Sequence, residues 1–541
     1  LILTHNLTGV EIDDRAGALA AFALAMKAAA KLGRRRFLRM AAKPDICVLQ
    51  NVAFTAAEMQ DVATVVGKDL FTDELRETLR QFEQAKNFGS LIVPKLRDPV
   101  EALRVVEARD FAGDLLLKDV QERVVAVLRM AEALSPKYHV VVANPPYMGA
   151  SSMNSNLIEF AKANYTDSKS DLFAMFMERA IQLAINCGMM AMINMQSWMF
   201  LSSFEKLREK LFSRCTILSM AHLGERAFDT IGGGVVSTTA FVFSGAQHLE
   251  FSGDFLRLTE GRSEAEKANM AKEAISNSDS RWHYRASTED MKKLPGAPVA
   301  YWASRASIEC FETGKPFKEV APAKLGMRTG DNSKWLRMWF EVSYAESLYN
   351  AQNAEDAKGS EAKWFPYNKG GEFRRWFGNN EVVIFWPNNG YAIKKETLEK
   401  YPTLSWDNLG WKITNEQDFF KPACTWTFIS SSAFGVRVSP GGALFDVAGS
   451  SAFPPEDDLL IVAGFMSSSV AFHFLKMSNP TLNFQVANVN ALPWIENPEV
   501  QASGDAVQQL VDLSKSDWDA FETSWDFTTL PLLLHDYRAE T

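Results

Sequence analysis

The residues that could carry chemistry stand together in Asn144-Pro145-Pro146-Tyr147, which follows the apolar run 138–143. Two consecutive prolines fix φ and stiffen the loop. The Asn144 side-chain oxygen and the Pro145 carbonyl would then be two preorganised hydrogen-bond acceptors, and the Tyr147 ring offers a flat surface for stacking. The alternative interpretation is that these prolines only mark the point where a strand ends and a turn begins, because proline is common in turns and loops.

Two fixed acceptors suit the activation of an amino group on a heterocyclic base. The lone pair of an exocyclic amine such as adenine N6 is delocalised into the ring, so the amine is a poor nucleophile. Acceptors in line with its two N–H bonds pull the nitrogen toward a tetrahedral, nucleophilic geometry. A buried strand that ends in Asn-Pro-Pro-Tyr resembles the catalytic loop of amino-group methyltransferases, and this resemblance implies that Asn144, Pro145, Pro146 and Tyr147 are catalytic residues.

Length, charge and cysteine usage limit the class of protein. A chain of 541 residues is too long for one ordinary core and predicts two to four domains. The net charge of −9 counts mildly against a nucleic-acid binder, but residues 301–440 carry 18 Lys+Arg and 16 Asp+Glu, and a local basic face matters more for DNA than the total.

Five scattered cysteines and no histidine at ligand spacing predict a reducing, cytoplasmic location with neither disulfides nor a metal site. The richest apolar stretch, 189–201, is too short to span a bilayer, so no membrane association is expected.

Strand and helix patterns alternate through the first half of the chain. Asp13 or Asp14 could cap a helix over 15–32, which is rich in Ala and Leu. Strands are predicted near 7–12, 46–49, 138–143, 189–193, 217–222 and 238–243. This alternation predicts an α/β fold with a parallel, doubly wound, Rossmann-like sheet.

The composition changes after about residue 300, toward Trp, Gly, Asn and short strands. Nine of the fourteen Trp residues lie between 301 and 430, which predicts a domain boundary. The predicted divisions are a Rossmann-like domain at 1–253, a helical connector at 254–300, an α+β or β-rich domain at 301–500 and a helical segment at 501–541.

Polar residues at the predicted strand ends are candidates for a nucleoside site. Ligands of open α/β sheets bind beyond the carboxyl ends of the strands. Glu11 ends the first predicted strand and could accept hydrogen bonds from both ribose hydroxyls. Gln50 and Asn51 end the next strand and could contact an adenine edge. Ordinary strand-end and loop residues would give the same pattern.

A second aromatic residue, Phe228, precedes the glycine triplet 232–234. Phe228 could clamp a base opposite Tyr147, or it could be a core residue. The glycine triplet is not a phosphate-binding loop, because no Lys-Ser/Thr pair follows it.

Together these segments resemble the gamma-type N6-adenine DNA methyltransferases. Residues 9–13 are similar to their ribose-binding strand, which implies cofactor contacts from Glu11 and Ile12. Residues 144–147 are similar to their catalytic loop, which places Asn144 at the cofactor as well, and Phe228 stands where they carry a second base-stacking aromatic. More closely, the chain resembles the methyltransferases of bacterial BREX phage-defence systems, through residues 144–149, 196–201, 328–332, 363–371 and 479–485.

The resemblance implies a site-specific, adenine-specific DNA methyltransferase of the restriction-modification type. S-adenosylmethionine would be the cofactor, double-stranded DNA the partner, and the target adenine would be flipped out of the helix. Other subunits of the defence system are candidate partners. Residues 301–500 would be the target-recognition domain, in which cations and aromatics interleave as phosphate and base contacts require. The predicted DNA contacts are Arg328, Asn332, Lys363, Lys369, Arg374 and Arg375, although a Trp-rich β core with solvated charges would give a similar pattern.

One part of such an enzyme is not found in the sequence. The Gly-rich loop that holds the methionine part of the cofactor is expected before residue 1, so we expect the 541-residue chain to be inactive alone. Three alternatives stay open: a DNA-binding specificity subunit with weak or partner-dependent catalysis, a protein-glutamine methyltransferase that uses the same loop, and a restriction–methylation fusion.

Overall fold

A computed structural model describes residues 2–37, 39, 43–111, 113–229, 236–430, 433–480, 483–497, 499 and 503–533. The chain forms two compact units, Leu1–Glu289 and Asp290–Thr541. The glycine triplet 232–234, two residues of the 479–485 segment and residues 534–541 of the predicted C-terminal helical segment lie outside the described residues.

The strands in the described part of the first unit form two sheets. They are β1 Thr8–Glu11, β2 Asp45–Val48, β3 Tyr138–Ala143, β4 Ala184–Met195, β5 Thr216–Gly224, β6 Thr238–Ser244, β7 Ser252–Arg257 and β8 His283–Ser287. β1 and β2 pair in parallel as a two-stranded sheet. The other six strands form one sheet in the order β3-β4-β6-β5-β7-β8.

The six-stranded sheet is mixed, and the α/β class predicted from the sequence is confirmed. β3 is parallel to β4 and β5 is parallel to β7, whereas β6 is antiparallel to β4 and β5, and β8 is antiparallel to β7. The prediction of a wholly parallel sheet is therefore wrong. A parallel return requires a crossover, usually a helix, and the described residues between β5 and β6 contain no helix. The carboxyl ends of β3, β4 and β5 share one edge.

Helices flank these sheets. They are α1 Asp14–Leu32, α2 Arg34–Phe37, α3 Glu58–Val66, α4 Asp73–Gln81, α5 Ala85–Phe88, α6 Pro99–Glu107, α7 Leu115–Ala133, α8 Ser155–Asn164, α9 Leu172–Leu183, α10 Glu205–Phe212 and α11 Glu264–Ser276, and α12 Thr288–Lys292 crosses the boundary between the units. Asp13 caps α1, as one of the two expected residues. Leu49, Phe82 and Val124 are fully buried in a core that α3, α4 and α7 share with β2.

The segment predicted as a helical connector at 254–300 differs from that expectation. It contains α11, but also most of β7 and all of β8, which extend the six-stranded sheet. Phe255 of β7 is fully buried. The charged helical pattern of α11 dominates this segment, and the two flanking strands were not predicted because β7 pairs with the distant β5 and β8 pairs with β7.

Among its described residues, the second unit contains small sheets and two hydrophobic cores. Its strands are β9 Lys315–Pro316, β10 Ala323–Lys324, β11 Leu336–Met338, β12 Trp364–Asn368, β13 Val382–Phe385, β14 Ala423–Trp426, β15 Val436–Ser439, β16 Leu444–Phe445, β17 Ser451–Ala452 and β18 Pro493–Trp494. The sheet orders are β10-β17-β14-β15, β11-β13-β12-β16 and β18-β9. Trp426 lies in one core and Trp386 in the other, both almost fully buried.

The helices of the second unit are mostly short. They are α13 Arg305–Thr313, α14 Asn332–Trp335, α15 Ala354–Gly359, α16 Pro387–Lys400, α17 Leu459–Met466, α18 Ser469–Ser478, α19 Val486–Asn490 and α20 Gly504–Asp519. In the described part of the chain, no single helix has the length and apolar character that a membrane crossing requires. One pair of helical segments, Glu456–Met466 and Ser469–Ser478, meets those criteria only jointly, across a 70° bend.

Candidate active site

The loop Asn144-Pro145-Pro146-Tyr147 begins directly after β3, at the carboxyl edge of the six-stranded sheet. β3 is fixed there by parallel pairing with β4, in which Ala143 stands opposite Met192. Pro145 is buried, while Asn144 is exposed. Among the described residues, neither the Asn144 side chain nor the Pro145 carbonyl has a hydrogen-bond partner. Both predicted acceptors can therefore receive N–H groups from a substrate.

Asp171 holds the end of this loop, a role that sequence reasoning missed. Its Oδ1 accepts hydrogen bonds from the Met148 N–H at 3.1 Å and from the Phe173 N–H at 3.3 Å. The Leu172 N–H donates to the Met148 carbonyl at 3.0 Å. Burial raises the pKa of Asp171. Asp171 also caps α9, and its contact with the loop is visible only in the tertiary structure.

The Tyr147 ring is half-buried and oriented by its neighbours. It meets the Phe173 ring edge-on, with 6.2 Å between centroids and 87° between planes. Phe173 is fully buried and packs against Phe204 at 5.6 Å. Burial raises the pKa of Tyr147. The ring is therefore held by the core beneath it, which suits a stacking surface.

The predicted nucleoside-binding residues meet at the ends of β1 and β2. The Leu49 N–H donates to the Glu11 carbonyl at 2.8 Å, which places Gln50 and Asn51 beside Glu11. Glu11 Oε1 accepts from the N–H groups of Ile12 at 2.8 Å and Asp13 at 3.1 Å. Its second carboxylate oxygen has no hydrogen-bond partner in the described part of the chain and can accept from a ligand.

The amides of Gln50 and Asn51 are partly occupied. Gln50 Nε2 donates to Asp14 Oδ1 at 2.5 Å, and Asn51 Oδ1 accepts from the Lys86 N–H at 2.8 Å. Hydrogen bonds from Lys86 and Gln50 lower the pKa of Asp14. This leaves the Gln50 oxygen as an acceptor and the Asn51 nitrogen as a donor. An acceptor and a donor of this kind match the two polar atoms of an adenine edge.

Two clefts border β3. One, of about 180 Å³, has Thr8 and Val10 of β1 on one wall and Val140 and Val142 of β3 on another. Among the described strands, β1 pairs only with β2 and β3 only with β4, so each has an unpaired edge. The other cleft, of about 990 Å³, runs along the apolar sheet face from Asn144 toward α11.

The second predicted stacking residue, Phe228, lies beyond the end of β5 and is half-buried. Asp229 Oδ1 accepts from the Glu264 N–H at 3.1 Å, which ties this segment to the start of α11. Within the described residues, Phe228 makes no ring contact with Tyr147. The structure thus places Phe228 at the same sheet edge as the loop but does not bring the two rings together.

Gln196 and His222 form a polar pair at this edge that sequence reasoning did not assign. Gln196 follows β4, His222 lies near the end of β5, and Gln196 Oε1 is 2.7 Å from His222 Nε2. Burial and the charges of Arg257 and Lys267 lower the pKa of His222 to about 3. The imidazole is therefore neutral at pH 7 and can donate to Gln196, which joins the ends of β4 and β5.

Three of the six predicted DNA contacts are paired with carboxylates in the second unit. Lys363 Nζ is 2.6 Å from Glu346 Oε1, Lys369 Nζ is 2.6 Å from Asp446 Oδ2, and Arg374 Nη1 is 3.3 Å from Asp517 Oδ2. Asn332 Oδ1 accepts from Thr329 Oγ1 at 2.5 Å. These residues have structural partners that their sequence context did not reveal.

The other two predicted contacts, Arg328 and Arg375, form no ion pair among the described residues. The Arg328 guanidinium lies 5.5 Å from the Trp411 ring and donates to the Trp411 carbonyl at 2.7 Å. Trp411 is 53% exposed. Arg375 lies 5.7 Å from the Phe373 ring. Both cations are therefore available to an anionic partner.

Comparison with known proteins supports the resemblance. Residues 5–228 match the family of Eco57I restriction-modification methylases. The chain is 37% identical over 98% of its length to the adenine-specific methyltransferase PglX of Lacticaseibacillus casei (strain Zhang). It is 36% identical over 99% of its length to the adenine-specific methyltransferase BrxX of Escherichia coli O9:H4 (strain HS). The chain spans 44% of the length of each relative.

Among solved structures, the Type IIL restriction-modification enzyme MmeI in complex with DNA matches 89% of this chain and 73% of that chain. The TM-score is 0.47 and the identity 12%.

Proposed function

We propose that this chain, a homologue of the PglX and BrxX adenine-specific methyltransferases along nearly its whole length, is the methyl-transferring and DNA-recognising part of such an enzyme in a bacterial phage-defence system. The reaction is transfer of a methyl group from S-adenosylmethionine to N6 of adenine in double-stranded DNA. The observation that carries the proposal is the loop after β3, in which two unoccupied acceptors and a half-buried ring stand together at the sheet edge.

Each residue of the loop has a separate role in activating the amine. Asn144 Oδ1 and the Pro145 carbonyl accept hydrogen bonds from the two N–H groups of N6. Tyr147 stacks on the adenine, which repays about 1–3 kcal/mol of the few kcal/mol that base flipping costs. Because the prolines and Asp171 fix the loop, the rate arises from positioning and fixed acceptors rather than from a general base.

Glu11, Gln50 and Asn51 supply part of the cofactor site. The free Glu11 oxygen accepts from a ribose hydroxyl, and the remaining acceptor of Gln50 and donor of Asn51 face an adenine edge. Ile12 borders the same place. S-adenosylmethionine supplies an electrophilic methyl group when it is bound there.

We infer that the cleft between β1 and β3 receives one further strand with a Gly-rich loop. Unpaired strand edges are otherwise left without hydrogen-bond partners, and the cleft between these two edges is lined by Thr8 and Val10 on one side and by Val140 and Val142 on the other. We expect the complete protein to bind S-adenosylmethionine at least about tenfold more tightly than the 541-residue chain, a difference of about 1.4 kcal/mol. Calorimetric titration of both proteins would measure it, and equal affinities would contradict the inference.

Arg328 is the DNA contact that the second unit supports best, because its charge is unpaired and its guanidinium lies against an exposed ring. We expect Arg328→Ala to weaken binding to duplex DNA and to reduce the slope of log affinity against log salt by about 1. Lys363→Ala is the matched control, since Lys363 is neutralised by Glu346. An unchanged salt slope for Arg328→Ala would place the phosphate contacts elsewhere.

The proposed function is tested by single-molecule methylation sequencing of bacterial DNA after expression of the complete gene with its neighbours. We expect N6-methyladenine at one recurrent motif, absent from a strain without the gene. DNA binding with no methylated product would indicate a specificity subunit. Methylation of a peptide glutamine in place of DNA would indicate a protein methyltransferase.

A further inference from the structure

The second unit holds a cavity of about 500 Å³ that the proposed function does not use. Its lining combines aromatic rings, side-chain amides and hydroxyls. We name it the aromatic cavity and define it by Tyr344, Tyr349, Trp525, Asn368, Ser439 and Lys515. Its volume lies within the range of about 300–1,000 Å³ that is typical of small-molecule sites.

Three rings in successive contact line the aromatic cavity. Tyr344 stacks on Tyr349 with 5.3 Å between centroids and 27° between planes. Tyr349 in turn contacts Trp525 at 4.8 Å and 41°. Tyr344 is 68% exposed, so the first ring of the row is accessible. Aromatic faces of this kind bind flat ring systems by stacking.

A donor and an acceptor lie side by side in the same cavity. Asn368 Nδ2 donates to Ser439 Oγ at 3.2 Å, and both residues are buried. In the described part of the chain, the Asn368 oxygen and the Ser439 O–H have no other partner. An adjacent acceptor and donor complement the edge of a nucleobase, which presents the same two kinds of group.

The charges of the cavity favour an uncharged ligand. Lys515 is the only Lys or Arg among the described residues that line it. Its ammonium group is paired with Asp519 at 2.5 Å and with Asp526 at 3.1 Å. A phosphate group would meet the Asp526 carboxylate beside a neutralised cation, whereas a base or nucleoside avoids that repulsion.

We propose that the aromatic cavity binds a nucleobase, stacked beside Tyr344 and hydrogen-bonded by Asn368 and Ser439. The base comes either from a DNA strand, as a second extrahelical base, or from a free nucleoside. The inference goes beyond the proposed function, because methyl transfer at the loop of the first unit needs no second base site.

Two titrations of the full chain distinguish the sources. Adenosine, guanosine, cytidine and thymidine are titrated separately by calorimetry. A duplex carrying 2-aminopurine opposite an abasic site is titrated by fluorescence, in a Tyr147→Ala background that removes stacking at the catalytic loop. Saturable nucleoside binding that Tyr344→Ala weakens identifies a free ligand, and quenching of 2-aminopurine without such nucleoside binding identifies a base of DNA.

Tyr344→Ala is expected to weaken the observed binding about 5- to 150-fold, the loss of one stacking contact. Phe340→Ala is the matched control, because Phe340 is 60% exposed and does not line the cavity. Ser439→Ala should change the preference among bases, because it removes the donor. Absence of saturable binding in both titrations, or equal effects of Tyr344→Ala and Phe340→Ala, would overturn the proposal.

Discussion

Asn144→Ala is expected to reduce methyl transfer by at least about 100-fold while DNA binding is retained. Asn144 is exposed at the loop, and its side chain has no partner among the described residues, so its loss should impair the proposed catalysis and leave the fold intact. Loss of one preorganised group that stabilises a transition state costs about 10²–10³ in rate. Single-turnover transfer of a labelled methyl group to duplex DNA by the complete protein measures the effect.

Two variants test the reason for that loss. Asn144→Asp keeps an acceptor oxygen and should retain more activity than Asn144→Ala. Asn156→Ala removes an exposed asparagine whose Nδ2 donates to Gln84 and should leave transfer unchanged. If Asn144→Ala transferred methyl groups within tenfold of the wild-type rate, the catalytic role would belong to another residue.

Arg179→Met is expected to destabilise the first unit by at least about 3 kcal/mol. Arg179 is 1% exposed, and its Nε donates to the Ser90 carbonyl at 2.9 Å. Its Nη2 donates to the carbonyls of Ile92 at 2.8 Å and Leu134 at 2.5 Å. Each buried carbonyl left without a donor costs about 1–3 kcal/mol. Burial lowers the pKa of Arg179 to about 10, so methionine regains part of that desolvation cost.

Thermal unfolding of the full chain measures this loss as a lower midpoint of the first unit. Arg129→Met is the matched control, because Arg129 is two-thirds exposed and forms a surface ion pair with Glu107 at 2.7 Å. Exposed pairs contribute about 0–1 kcal/mol. Equal midpoints for the two variants would mean that water satisfies the three carbonyls and that Arg179 does not link α9 to its neighbours.

The sequence predicted the α/β class of the first unit because the spacing of apolar residues, which distinguishes strands from helices, is a local property of the chain. The run at 138–143 forms β3, and the apolar stretch at 189–193 lies inside β4. The direction of each strand could not be predicted from the local pattern of apolar residues. β6 lies between β4 and β5 and runs antiparallel to both, since pairing depends on contacts between residues distant in the chain.

The position and stiffness of the loop 144–147 could be predicted because proline restricts its own backbone. Asn144-Pro145-Pro146-Tyr147 indicates a stiff loop wherever it occurs, and β3 ends directly before it. Its support could not be predicted, because Asp171 reaches the Met148 N–H across 23 positions of sequence. The same limit applies to the aromatic cavity, in which Tyr349 meets Trp525 only in the folded chain.

The charged residues of the second unit show most clearly what the sequence determines and what only the tertiary structure decides. The sequence by itself determined residue types, local periodicity and the resemblance of the chain to adenine-specific methyltransferases. Only the tertiary structure decided which cations are available, because Lys369 is neutralised by Asp446, 77 positions away, whereas Arg328 rests on Trp411 without an ion pair in the described part of the chain. Charge neutralisation depends on distance in space, which sequence spacing does not fix.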